Sequence, residues 1–125
     1  MVLSFAIAML TTHEAEMAAW GIQTLEVIRR EFAFDRTPGF ADAIEPGKSK
    51  QPLFNWGLGV LLSAVNGAAR NNDKWKGELR KLLKEGQAYW NPEGPVAGFD
   101  VWPVPKPKDR YYDDNAWMAL ALVET

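Results

Sequence analysis

Proline and glycine divide this chain into helical and non-helical segments, and they constrain its fold more than any other sequence feature. The eight prolines fall in two stretches, one between Ala33 and Pro52 and one between Trp90 and Arg110. Because proline lacks the backbone donor that a helix needs, neither stretch forms a continuous helix. Apolar residues elsewhere recur with helical spacing and predict four helices, over approximately residues 11–32, 55–71, 74–89 and 113–124.

The N-terminal segment gives two signals about where the first helix begins. Thr11 and Glu14 have the spacing of a capping box, which predicts a helix start at Thr11. The preceding apolar run, Val2–Leu10, is shorter than the roughly 20 residues of a membrane span. It also has no Lys or Arg before it, as a secretory signal would. We therefore expect a packed or frayed N-terminal arm and no membrane span.

The second and third predicted helices differ in surface and are joined by a short turn. The second carries Leu58, Leu62 and Val65 among many small residues, which predicts an inner helix. The third has one charged face and starts at Asp73, a favourable N-cap. A short turn makes them antiparallel, so up-and-down helices place both proline-rich loops at one end. We expect an all-α fold of hairpins forming part of a larger α/α toroid, because two hairpins cannot close one.

Composition leaves carboxylates as the main groups for acid–base chemistry. Cysteine is absent, which excludes a thiolate nucleophile, and the single histidine, His13, makes Ser-His-Asp chemistry and histidine metal sites improbable. The formal net charge of −2 gives no basic excess for nucleic acid. Six tryptophans in so short a chain suit stacking on sugar faces as well as core packing. We expect no cofactor, no metal and no nucleic-acid partner.

Two adjacent carboxylates, Asp113 and Asp114, stand at the predicted start of the fourth helix. Their proximity raises the proton affinity of one, and the helix N-terminus favours the other as an anion. An acid and an anion about 5 Å apart is the arrangement of a retaining glycosidase. The alternative is structural, because acidic residues are common at helix N-termini, where they cap and complement the dipole.

The surrounding sequence resembles glycoside hydrolase family 76, the endo-α-1,6-mannanases and their relatives. Two stretches carry the resemblance, Tyr111–Leu122 (YYDDNAWMALAL) and Asn55–Ala64 (NWGLGVLLSA). It implies a six-hairpin α/α toroid, retaining cleavage of α-1,6-mannan, no cofactor and export to the cell surface, periplasm or medium. It also implies that Asp113 is the nucleophile and Asp114 the general acid/base. The chain corresponds to roughly the first third of such a toroid, which suggests an inactive fragment.

Six further residues are candidates for substrate binding, and each has a structural alternative. Asn55 either binds a sugar hydroxyl or caps the second helix. Trp56 and Trp102 either stack on a sugar ring or pack against the rest of the protein. Asn115 either orients a carboxylate or caps the fourth helix. Of Tyr111 and Tyr112, we expect one to pack and one to face the cleft. Helical spacing assigns Trp117 to the core, and the tryptophans without a positional argument are also assigned to packing: Trp20, Trp75 and Trp90.

A non-catalytic reading competes with the enzymatic one. The chain would then be a helical module that binds carbohydrate or another protein through its aromatic loops. Apolar helix faces left open by an incomplete toroid would favour self-association. Another six-hairpin glycosidase, such as an unsaturated glucuronyl hydrolase, is a further alternative, but the two motif stretches lack the cationic groups that a uronate needs.

Overall fold

Four α-helices and a two-stranded ribbon make up the computed structural model of this chain. It describes residues 2–70, 72–103 and 109–125, with the side chains among them from residue 13 onward. These residues form an all-α fold, as predicted. The helices are α1 (Val2–Glu31), α2 (Asn55–Ala69), α3 (Asp73–Gly86) and α4 (Tyr112–Val123), and strands β1 (Trp90–Asn91) and β2 (Gly98–Phe99) follow a 3-10 turn over Gln87–Tyr89.

Helix α1 begins at Val2, so the predicted start at Thr11 is wrong. Residues 2–20 contain neither glycine nor proline, and nothing therefore ends the helix before the capping-box sequence is reached. How the first residues pack lies outside the described side chains. Residues 13–21 are exposed, and contact with the rest of the fold centres on buried Leu25. The part of this helix over residues 13–21 thus lies outside the packed core.

The ends of α2 and α3 differ slightly from the prediction. Helix α2 ends two residues before the predicted position 71. The N-cap of α3 is Asn72, whose side chain accepts a hydrogen bond from the Lys74 backbone N–H at 3.1 Å, and not Asp73. Asparagine is as good an N-cap as aspartate. Asp73 becomes the first helical residue, where it pairs with Lys76 at 2.7 Å.

Helix α2 lies at the centre of the fold and runs antiparallel to α3 and parallel to α4. Gly86, at the end of α3, approaches Leu58 near the start of α2, which sets the antiparallel direction. Gly59 approaches Trp117, and Leu62 shares a cavity with Leu122, so α2 and α4 advance together. As predicted, α2 and α4 therefore begin at the same end of the molecule.

The burial of the tryptophans agrees with the prediction only in part. Trp75 is buried between α3 and the rest of the core, as expected. Trp20, Trp90 and Trp117 are exposed, so none of the three is a buried core residue as expected. Trp20 lies on the extending part of α1, and Trp90 packs its edge on Phe99 at the surface, with ring centroids 5.1 Å apart.

Both proline-rich stretches are irregular but anchored. In the first, antiparallel bridges pair Ala33 with Phe40 and Ala41 with Pro52. In the second, β1 and β2 form a short antiparallel ribbon, consistent with the extended backbone predicted for it. The prolines at 105 and 107 lie outside the described residues. Among the helices described, α1 included, none is both long and apolar enough to cross a membrane.

Candidate active site

The two adjacent carboxyl groups at the start of α4 occupy different environments. Asp113 is exposed, whereas Asp114 is 2% exposed and its Oδ2 atom has no hydrogen-bond partner in the described part of the chain. Burial first, and the charge of Asp113 second, raise the pKa of Asp114 above its ordinary value. The pair therefore combines an accessible carboxyl with an enclosed carboxyl that holds its proton more strongly.

Helix geometry explains why consecutive aspartates separate in this way. Asp114 lies on the same face of α4 as Met118 and Ala121, four and seven residues later, and all three are buried. One residue along an α-helix turns the side chain by about 100°, which carries Asp113 away from that face. Packing of the apolar residues against α2 thus fixes which aspartate is turned inward.

Asn115 joins the first turn of α4 to strand β2. Its Oδ1 accepts a hydrogen bond from the Phe99 backbone N–H at 2.8 Å, and its Nδ2 donates to the Phe99 carbonyl at 3.0 Å. The same Nδ2 donates to the carbonyl of Tyr111, the N-cap residue, at 3.0 Å. All these hydrogen bonds join the amide to backbone groups and none to a carboxylate, so Asn115 fixes the position of the ribbon against α4.

Asn55 is the first residue of α2 and is completely buried. Its backbone N–H donates to the Val101 carbonyl at 3.0 Å, which ties the start of α2 to the segment after β2. The N-cap is Phe54, so the capping role predicted for Asn55 is wrong. Within residues 2–70, 72–103 and 109–125, neither Nδ2 nor Oδ1 of Asn55 has a hydrogen-bond partner. At 0% exposure the amide is closed to a substrate hydroxyl in this conformation.

Exposed aromatic side chains lie at the starts of α2 and α4. Tyr112 is 99% exposed, and Tyr111 and Trp56 are also exposed. The expectation that one of the two tyrosines packs is therefore wrong. Tyr111 is the N-cap of α4 and Tyr112 is its first residue, and both side chains face solvent. Trp102 is half-buried and packs its edge on Phe54, with the ring planes at 89°.

A buried charged network next to the aspartates was missed by the sequence analysis. Asp100 is 0% exposed, and its Oδ1 and Oδ2 accept hydrogen bonds from Arg110 Nε and Asn91 Nδ2, both at 2.7 Å. Arg110 also donates to the backbone carbonyls of Val96 and, at 2.7 Å, Glu93. The one available signal was the position of Arg110, a cation immediately before the aromatic and acidic stretch.

The best-enclosed cavity lies away from the aspartates. It has a volume of about 300 Å³ and is mainly apolar, with Leu62, Met118 and Leu122 on the helices and Trp90 and Phe99 on the ribbon. None of the eight predicted site residues lines it. The described side chains also contain no group of three His, Asp or Glu residues placed to hold a metal ion.

Comparison with known proteins adds no relative to this description. No protein-family model matches the chain, and comparisons with curated proteins and with solved structures find no match either.

Proposed function

We propose that this chain belongs to a retaining glycoside hydrolase that cleaves α-1,6-mannan with Asp113 and Asp114. The observation that carries the proposal is the unequal environment of the two carboxyl groups within one helical turn. A retaining glycosidase needs one carboxyl as an anionic nucleophile and the other as a proton donor. The sequence resemblance to glycoside hydrolase family 76 supplies the substrate and the toroid, of which these helices would form the first part.

In this proposal the roles follow from exposure and proton affinity. Asp113 is exposed at the N-terminus of α4, where the helix dipole favours an anion, and it attacks the anomeric carbon. Asp114, whose pKa is raised by burial, protonates the departing glycosidic oxygen and then removes a proton from the attacking water. Because Asp114 is almost fully enclosed, its side chain turns toward the surface to reach the substrate. Tyr111, Tyr112 and Trp56 offer exposed rings for sugar stacking.

Hydrolysis of α-1,6-mannan by the complete toroid that the resemblance implies, of which these helices would form the first part, tests the proposal. We expect reducing ends to form with retained anomeric configuration, and Asp113→Asn and Asp114→Asn each to lower the rate by at least about a hundredfold. Asp109→Asn is the matched control, because Asp109 is exposed. The hydrogen bond described for this residue is accepted by its backbone carbonyl, which the substitution does not change. Undiminished hydrolysis in both variants, or inversion at the anomeric carbon, contradicts the assignment.

The burial of Asp114 together with the exposed rings favours a second candidate, a carbohydrate-binding module without catalysis. Such a module would use Trp56, Tyr111 and Tyr112 as stacking surfaces, and Asp114 would be a structural residue. The two candidates separate in one titration with α-1,6-linked mannose oligosaccharides. Binding that persists in Asp113→Asn, with no product formed by the unsubstituted protein, supports the module. Product formation that depends on both aspartates rejects it.

Export from the cytoplasm is the remaining part of the proposal, and it rests on the family resemblance. A polymeric mannan is too large to enter a cell, so an enzyme that cleaves it acts at the cell surface, in the periplasm or outside.

The apolar, exposed side chains of α4, which include Leu120 and Val123, are where the later hairpins of a toroid or a second copy of the chain would pack.

A further inference from the structure

Three buried polar atoms at the start of α2 and α4 have no hydrogen-bond partner among the residues that the structure describes. They are Nδ2 and Oδ1 of Asn55 and Oδ2 of Asp114. An unpaired buried polar group is destabilising, and native proteins pair nearly all of them. Three such atoms on two neighbouring helices therefore require an explanation.

The packing of α2 on α4 places these atoms in one layer. A Cβ added to Gly59 would stand 2.7 Å from the Trp117 Cβ and 3.2 Å from the Met118 backbone nitrogen, so the helices touch at this level. Asn55 is four residues before Gly59, and Asp114 is four residues before Met118. Because the helices are parallel and each rises about 1.5 Å per residue, both side chains lie about 6 Å toward the same end. Both are buried there, on the facing sides of the two helices.

With Asp114 ionised, the described orientation of the Asn55 amide leaves both acceptor oxygens of this layer without a donor, because its Nδ2 points to neither of them. Oδ2 of a carboxylate and Oδ1 of an amide are both acceptors and cannot pair with each other. Nδ2 of Asn55 donates to neither. A proton on Oδ2 of Asp114 supplies the missing donor for Oδ1 of Asn55.

Few other charges bear on that proton. Helix α2 (NWGLGVLLSAVNGAA) contains no ionisable side chain, and neither residue of β2 is ionisable. Asp113 on α4 opposes ionisation of its neighbour. Asp100, which follows β2, is paired with Arg110. The positive ends of both helices favour the anion, and this effect is modest at exposed helix ends. Desolvation of a carboxylate enclosed by protein is larger.

We propose that Asn55 is a positioning residue for Asp114, and that its Oδ1 accepts a hydrogen bond from the protonated Asp114 carboxyl in the layer between the first turns of α2 and α4. This inference deepens the proposed function and rests on it for its purpose. The hydrogen bond holds Asp114 as a neutral acid in a fixed orientation until the side chain turns to protonate a leaving oxygen. Asn55 thus acts through Asp114 and does not touch the substrate.

A pH titration followed by NMR tests the inference on the intact chain without using activity. The side-chain amide signals of Asn55 and the carboxyl carbon signal of Asp114 are recorded from acid to neutral pH. We expect the two to shift with one common midpoint, above the ordinary 3.8 of an aspartate. In Asp113→Asn the common midpoint falls but stays above 3.8, because burial is the larger cause of the shift. In Asp114→Asn the transition of Asn55 disappears.

Asn66 provides an internal control in the same spectra. It lies three turns further along α2, is also buried and also has an unpaired Nδ2, but it is far from the aspartates along the helix. Its amide signal should not follow Asp114. A stationary Asn55 signal, or an Asn55 transition that survives in Asp114→Asn, overturns the inference. A shared midpoint in a protein that hydrolyses no mannan keeps this inference and rejects the proposed function.

Discussion

Replacing Arg110 with Met tests whether the buried ion pair beneath the ribbon stabilises the fold. The change removes the 2.7 Å hydrogen bond from Nε to Asp100 and the two hydrogen bonds to the Val96 and Glu93 carbonyls. It retains most of the aliphatic stem, so packing changes little. Asp100, at 0% exposure, is left as a buried carboxylate with Asn91 as its remaining side-chain donor.

The expected loss of unfolding free energy is about 3 kcal/mol. Removing one partner of a buried ion pair costs about 3–5 kcal/mol, mostly because the other charge stays buried and unpaired. The lower end of this range applies here, because the Arg110 side chain is 19% exposed and Asn91 still donates a hydrogen bond to Asp100. The carbonyls of Val96 and Glu93 belong to exposed residues and regain hydrogen bonds from water, so they add little.

Urea unfolding followed by tryptophan fluorescence measures this loss. Arg36→Met is the matched control, because Arg36 and Asp35 form an exposed ion pair at 3.7 Å, which is worth at most about 1 kcal/mol. In the background Asp100→Asn, where no buried charge remains, the cost of Arg110→Met should fall by about 1.5–3 kcal/mol. The reasoning is refuted if Arg110→Met costs no more than Arg36→Met, or if Asp100→Asn leaves that cost unchanged.

Three further results are expected. Gly59→Ala should destabilise by about 1–3 kcal/mol in urea, because its Cβ would meet Trp117, whereas Gly67→Ala, with open space around it, should stabilise by about 0.5–1 kcal/mol. Leu82→Ala should cost about 2–5 kcal/mol in the same assay, since Leu82 is fully buried in the core. The raised pKa of Asp114 makes the folded state bind its proton more tightly, so the protein loses stability as pH rises from 3.8 through the folded-state pKa. Asp114→Asn should therefore gain stability relative to the unsubstituted protein between about pH 4 and about pH 7, and a constant difference would contradict this.

Periodicity and proline placement predict the helices well because both are local properties. The starts of α2 and α4 are within two residues of the prediction, since each follows a proline-rich stretch. The predicted start of α1 is wrong by nine residues, because a capping-box sequence begins a helix only where the preceding residues are not already helical. The N-cap of α3 is Asn72 and not Asp73. Asparagine and aspartate are equally favourable at an N-cap, so the sequence does not distinguish these two neighbours.

The candidate site shows where local patterns stop being informative. The inward turn of Asp114 follows from its spacing to Met118 and Ala121, and helical phase alone allows it to be predicted. The pairing of Asp100 with Arg110 cannot be predicted in this way, because the two residues are ten positions apart in a proline-rich stretch and no helical or strand period relates them. Burial of Asn55 depends likewise on α4 packing over it, which is a tertiary event.

The extension of α1 beyond the core has a consequence for amide hydrogen exchange. Residues 13–21 are exposed on all sides, whereas Leu25, Ile22 and Ile28 pack against the core. A helix without tertiary contacts is marginal in water, so its amides open at little free-energy cost. Deuterium should therefore enter residues 13–21 far sooner than residues 25–31, and one continuous helix would show two exchange regimes separated near Ile22.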